Sequence, residues 1–241
     1  MGEPQPPGED TPSPPAAPVS WERHSEGLEF DRVAFFTDAV FAIALTLLVV
    51  SMGAVVLRGN PESPQVMLQA LADKIPEFVS FFVAFVVIGR YWMAHHRFMS
   101  LLGRVDYSFI GLNLIYLAFV AFLPFPTALV GRHEENPVSV LTLALCLAIV
   151  STMETVLFRL AYRHKLFRVN VTPELYRYGV KASLSPVAMF IVTAPLALIS
   201  STLTLVSWMS SIPIGAFIDR RAPQGAERIT LAAPKNHPAK D

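Results

Sequence analysis

Apolar residues fall along this chain in long unbroken runs rather than in the alternations of strands or the narrow stripes of soluble helices. The first run, "RVAFFTDAVFAIALTLLVVSM", is followed by "PEFVSFFVAFVVIGRYWMAH" and "YSFIGLNLIYLAFVAFLPFPTALV", then by a fourth from Val138 to about Tyr162. Each reaches the roughly 18–20 residues that cross a hydrocarbon core of about 30 Å as a helix. The first is expected to extend from Val33 to Leu57, the second from Pro76 to His95 and the third from Tyr107 to Val130. Pro124 and Pro126 predict a bent or frayed end to the third. The last run, "GVKASLSPVAMFIVTAPLALISSTLTLVSWMSSIPIGAFI", is about twice a span and divides near Ser200-Ser201 into a fifth and a sixth. The pattern therefore predicts an all-α membrane protein of six transmembrane helices.

Composition supports this and excludes other classes. More than half of the 241 residues are hydrophobic, and the charged ones gather in the short connections. Lys plus Arg balance Asp plus Glu at 19 each, which gives no electrostatic reason to expect nucleic acid as a partner. The one cysteine, Cys146, lies within an apolar run and can form neither a disulfide nor a thiolate zinc site inside one chain. The Pro-rich and acidic segment 1–29 is expected to be a disordered cytoplasmic N-terminus, residues 30–218 the six-helix transmembrane domain, and residues 219–241 a disordered cytoplasmic tail. The connections on the side of the termini carry Arg97, Arg104, Arg163, Lys165, Arg168 and Arg177, and the opposite side only Arg58, Lys74 and Arg132. The positive-inside rule thus predicts both termini in the cytoplasm, and the chain is expected to be a multi-pass protein of a bacterial-type plasma membrane.

The first span poses a chemical question, because it carries Asp38 near its start and Thr46 in its middle. At about 100° per residue, Ile43, Leu47 and Val50 form one stripe with Thr46 on its edge, while Asp38 lies about 140° from Ile43. Arg32 and Asp38 are separated by neither three nor four residues and cannot pair along one helix. An intramembrane carboxylate needs partners, and the second and third spans supply Arg90, Trp92, His95, His96, Arg97 and Asn113 near its level. Asp38 is therefore expected to anchor a hydrogen-bonded network between helices. The aliphatic stripe has two readings, ordinary packing or the lining of a pore that gates by dewetting, and periodicity alone favours packing.

These residues carry a resemblance. "RVAFFTDAVFAIALTLL" resembles the Arg-x-x-x-Phe-Ser-Asp signature that opens the first helix of the transmembrane protein 175 family of lysosomal potassium channels, and the single six-span unit looks like its bacterial homologues. The likeness continues through "SFFVAFVVIGRYWMAHHRF" and "LNLIYLAFVAFLPFPTAL" and covers roughly residues 30–130. The signature falls on Arg32, Phe36 and Asp38, with Thr37 where the family usually has serine. The resemblance implies a homotetrameric, potassium-preferring cation channel with no cofactor, in contact with membrane lipid and lined by the four first helices. It further implies a hydrophobic constriction at Ile43 with Leu47 and Val50 as further rings, a hydroxyl layer at Thr46 that favours potassium, and a polar network of Trp92, His95 and Asn113 around Arg32 and Asp38. In keeping with it, no "TVGYG"-like filter occurs in the chain.

Two other classes compete. A secondary transporter is the main alternative, with a site among the last helices, where Pro186, Pro195 and Pro213 could break the spans. An intramembrane enzyme has less support. His95 and His96 are adjacent and point about 100° apart, whereas two metal ligands on one helix face need i, i+4 spacing. Glu154 and Arg159 have no nucleophile beside them, and Glu154 is expected to pair across helices.

Overall fold

The computed structural model describes residues 21–133 and 135–208, with side chains from residue 29 onward. Helix α1 runs Trp21–Ser51, α2 Pro64–Ala72, α3 Ile75–Ser100, α4 Tyr107–Phe122, α5 Pro124–Arg132, α6 Pro137–Arg163 and α7 Pro173–Thr193. A 3₁₀ turn over Ala194–Leu198 follows, and then α8 over Ser201–Ser207. Five stretches among the described residues are long and apolar enough to cross a membrane: Glu29–Ser51, Ile75–Ser100, Tyr107–Arg132, Pro137–Arg163 and Pro173–Leu198. The sixth expected span opens with α8, on the Ser200-Ser201 division, and then leaves the described residues, as do residues 1–20 and the tail over 219–241.

Helix boundaries shift from the hydropathy expectation for local reasons. α1 begins at Trp21, inside the segment expected to be disordered, and stops at Ser51 rather than Leu57. Gly53, at φ +70°, takes the left-handed conformation in which helices commonly end. The third span breaks at Leu123 because Pro124 and Pro126 remove two amide donors from one turn. The helix restarts as α5 from Pro124, and its first turn is closed by Thr127, whose amide and hydroxyl both donate to the Leu123 carbonyl. Asp106, Asn136, Thr172 and Ser200 cap the helices that follow them through side-chain oxygens. Pro186 does not break α7. It leaves the Ala182 carbonyl without its helical donor, and the Ser185 hydroxyl donates to that carbonyl at 3.1 Å. The broken fifth helix that a transporter site would use is therefore absent at this proline.

α6 packs against α4, α5 and α7, whereas α1 packs against α3, α4 and α5. The first helix thus lies on the side of the bundle away from α7. The core between these layers contains Phe41, Ala44 and Leu48 from α1, Ile88 and Phe98 from α3, Phe109, Tyr116 and Val120 from α4, and Val150, Leu157 and Ala161 from α6. Lipid is as apolar as these side chains, so close packing and interhelical hydrogen bonds, rather than exclusion of water, hold such helices together.

At the end of the bundle where α3 stops and α4 starts, the loop after α6 docks onto the loop after α3. Leu102 and Phe167 form an antiparallel bridge, with Gly103 donating to the Leu166 carbonyl and Arg168 to that of Leu101, both at 2.9 Å. Beside it the Asp106 carboxylate accepts from the Phe109 amide and meets Nδ1 of His164. Partial burial pushes the Asp106 carboxyl up, but the bonds from His164 and Phe109 and the charges of His164 and Arg104 outweigh it and leave the group below its ordinary range. A carboxyl depressed on folding contributes stability above its unfolded value and loses it as pH falls through the folded one. Asp106→Asn, which can still cap α4, is therefore expected to flatten the acid limb of the thermal-unfolding curve against pH. An acid limb identical to wild type would show that this pair carries no folding linkage.

Candidate pore helix and its polar anchors

One stripe of α1 is buried: Thr37, Phe41, Ala44 and Leu48, at 2%, 0%, 0% and 1% exposure. Their spacing of four, three and four residues keeps them within about 60° of one another around the helix. The residues singled out as a possible lining lie elsewhere. Ile43 is 55% exposed, Leu47 41% and Val50 71%, and Phe36 and Thr46 are also exposed. Packing inside the subunit therefore does not explain this stripe, and a surface facing lipid or other copies of α1 remains. The Thr46 hydroxyl donates to the Ile43 carbonyl at 2.8 Å. Its proton is thus directed back along the helix, and its oxygen lone pairs are left for whatever lies outside.

Asp38 sits between the buried and exposed stripes. Its carboxylate accepts from the Trp92 indole N–H at 2.8 Å, with Nδ1 of His96 at 3.5 Å. Arg90 and Arg97, the other candidates from α3, form no ion pair with it. One residue earlier and fully inside, the Thr37 hydroxyl accepts from the Asn113 side-chain amide at 2.9 Å. These bonds tie α1 to α3 and α4 from two sides of one turn. Interhelical bonds of this kind contribute about 0.6–2 kcal/mol each in a membrane.

His95 is fully buried, stacked on Tyr116 with centroids 4.7 Å apart, and packed against Phe41 and Phe98. Asn113 lies close enough to interact with it, but neither ring nitrogen makes a well-formed hydrogen bond among the described residues. His95 thus serves the anchor by packing. Arg32 is exposed and joins no ion pair or hydrogen bond among the described residues, so one subunit does not bring it to Asp38. Glu154 likewise makes no ion pair or hydrogen bond across helices among the described residues. It lies near the hydroxyls of Tyr91 and Tyr116, and Tyr91 bonds Ser151 at 2.6 Å.

Sequence reasoning missed a second anchor at the far end of α1. Lys74 and Arg132 figured there only as charges in loops, yet both reach the carbonyls that end α1, and Glu77 lies between them. A weak local signal existed in the i, i+3 spacing of Lys74 and Glu77 at the start of α3. Nothing local pointed to Arg132.

Residues 32–124 match the profile of the endosomal/lysosomal potassium channel TMEM175. That match begins at the first residue of the α1 signature and ends where the third span breaks. Over 168 residues the chain is 32% identical to a potassium channel of Chamaesiphon minutus, an alignment covering 64% of this chain and 80% of that one. The chain belongs to the TMEM175 family. It is also 37% identical over 105 residues to a potassium channel of Streptomyces collinus, spanning about half of that relative (49%). The crystal structure of a lysosomal potassium-selective TMEM175 homologue from Chamaesiphon minutus superposes with a TM-score of 0.61 at 26% identity, over 80% of this chain and 97% of that one. The polar anchor and the exposed α1 stripe both fall inside the matched segment. TMEM175 is a family of ion channels, not enzymes. Consistent with that chemistry, His95 and His96 turn to different surroundings, one buried on Tyr116 and one half-open beside Trp92.

Proposed function

We propose that this TMEM175 chain assembles as a homotetramer and conducts monovalent cations passively, potassium in preference to sodium, through a pore lined by the exposed face of α1. The observation that carries this is the division of α1 itself. One stripe is closed against the subunit core, and a second, bearing Ile43, Thr46, Leu47 and Val50, is left uncovered beside an anchored aspartate. A pore helix must hold its rotation while presenting one side to ions, and the bonds from Trp92 and Asn113 to adjacent residues of α1 supply that hold.

In this arrangement Ile43 forms the narrow ring, with Leu47 and Val50 as further rings. Branched aliphatics offer a cation no ligands, so the ring blocks conduction until it widens or wets. Thr46, its proton committed to the Ile43 carbonyl, presents an oxygen that can replace part of the hydration shell, and this layer favours potassium. In this reading both termini lie in the cytoplasm, in keeping with the distribution of basic residues between the two sides, and the channel resides in the plasma membrane. Lipid covers the exposed apolar faces of α3 and α7. The permeant ion is the only ligand, and no cofactor takes part.

Purified protein in proteoliposomes, given potassium or sodium as the only permeant gradient, is expected to show rapid, non-saturating flux faster for potassium. Flux that saturates or requires a second, coupled ion would overturn the channel assignment.

A further inference from the structure

A helix ends with carbonyls that lack helical donors, and those of α1 are all accounted for. The Leu48 carbonyl accepts the Ser51 hydroxyl, that of Val49 the Met52 amide, and that of Val50 the Gly53 amide. The last two are taken from outside the helix. The Ser51 carbonyl accepts Nη2 of Arg132, from the end of α5, and the Met52 carbonyl accepts Nζ of Lys74 at 3.0 Å, from the link before α3. α1 has no basic residue in its own last turn. The cations that offset the negative end of its dipole are thus supplied by two other elements.

The cluster is built rather than incidental. Lys74 and Glu77 are mostly buried, and Lys74 donates to one Glu77 oxygen at 2.7 Å while Nε of Arg132 lies 3.7 Å from the other. A Cβ at Gly53 would stand 2.9 Å from the Arg132 guanidinium, and one at Gly131 would stand 3.0 Å from Ser80. Glycine at 53 leaves room for the Arg132 guanidinium, and glycine at 131 lets α5 close against α3 beside Glu77. Arg132 also borders an open groove of about 380 Å³ whose other walls include Leu47, Val50 and Phe125. The cations therefore act one turn from the uncovered stripe.

We propose that Arg132 and Lys74 are positioning residues for ion selection, holding the last turn of α1 so that Thr46, Leu47 and Val50 keep their place in the pore. This rests on the pore assignment above. Arg132 touches no ion. It acts through the helix end it holds.

The test uses full-length protein carrying Arg132→Ala or Arg132→Lys, read by hydrogen exchange and by potassium and sodium flux in proteoliposomes. In Arg132→Ala the amides of the last α1 turn are expected to exchange about tenfold faster while α6 is unchanged, since a charged hydrogen bond is lost there alone. The preference for potassium over sodium is expected to fall severalfold with flux retained, and Arg132→Lys to recover both in part. A folded Arg132→Ala protein with unchanged exchange, or with faster exchange and unchanged ion preference, overturns the proposal. Should Arg132→Ala fail to fold, Lys74→Gln is judged by the same two outcomes. Absence of passive flux in the wild type would instead refute the pore assignment, while faster exchange at the α1 end would still establish the cap.

Discussion

Replacing Ile43 by asparagine is expected to raise passive leak about tenfold or more, the change produced when a barrier falls by about 1.4 kcal/mol. Ile43 is 55% exposed and absent from the buried core, so the substitution removes only peripheral packing inside the subunit. At the proposed constriction an amide would offer water and ions hydrogen-bonding groups where a branched aliphatic offers none, making the dewetted state less favourable. The measurement is potassium and sodium flux from proteoliposomes matched for protein content, with gel filtration showing that the assembly is intact. Val49→Asn is the control, since Val49 is comparably exposed at 54% but lies on another flank of α1. Equal leak from the two variants, or none from folded Ile43→Asn, would remove Ile43 from the pore.

Asp38→Ala is expected to abolish the assembled channel in detergent. The carboxylate accepts the Trp92 indole N–H at 2.8 Å, an interhelical bond of the kind that contributes about 0.6–2 kcal/mol in a membrane. Its loss leaves Trp92 unpaired and weakens the hold on the rotation of α1, which then rests on the Thr37–Asn113 bond, core packing and the far-end contacts of Arg132 and Lys74. Rotation would carry Ile43 off its axis and misalign the surface that the proposed tetramer shares. Trp92→Phe removes the same bond from the other side, and a double-mutant cycle on thermal stability should show that the two changes are not additive. Stable assemblies of both variants, conducting as wild type does, would show that the Asp38–Trp92 bond does not hold the pore helix.

How much of the site was legible varied with the range of the interaction. Asp38 could be placed off the aliphatic stripe from helix period alone, because rotation per residue is a local property. Its need for a partner was equally local, since a carboxylate in an apolar run demands one. The choice among Arg90, Trp92, His96 and Arg97 was not. That choice depends on how α3 is turned against α1, and the structure selects Trp92, with His96 at longer range. Arg32 shows the same limit, for its place in the signature implied a role beside Asp38 that a single subunit does not supply.

By itself the sequence located five stretches long and apolar enough to cross a membrane, the break of the third at its prolines, and a helix boundary at Ser200-Ser201, beyond which the expected sixth span leaves the described residues. Hydropathy, proline and capping residues act within a turn or two, so their consequences can be read in order along the chain. Only the tertiary structure decided that Thr37, Phe41, Ala44 and Leu48 face the core, that Asn113 meets Thr37, and that Arg132 and Lys74 close the end of α1. Those contacts join residues far apart in the chain, and they exist only once each helix has settled its rotation against its neighbours. In an apolar solvent hydrophobicity does little to distinguish one helix face from another. Packing shape and a few hydrogen bonds make that decision, and neither is written in the hydrophobic pattern.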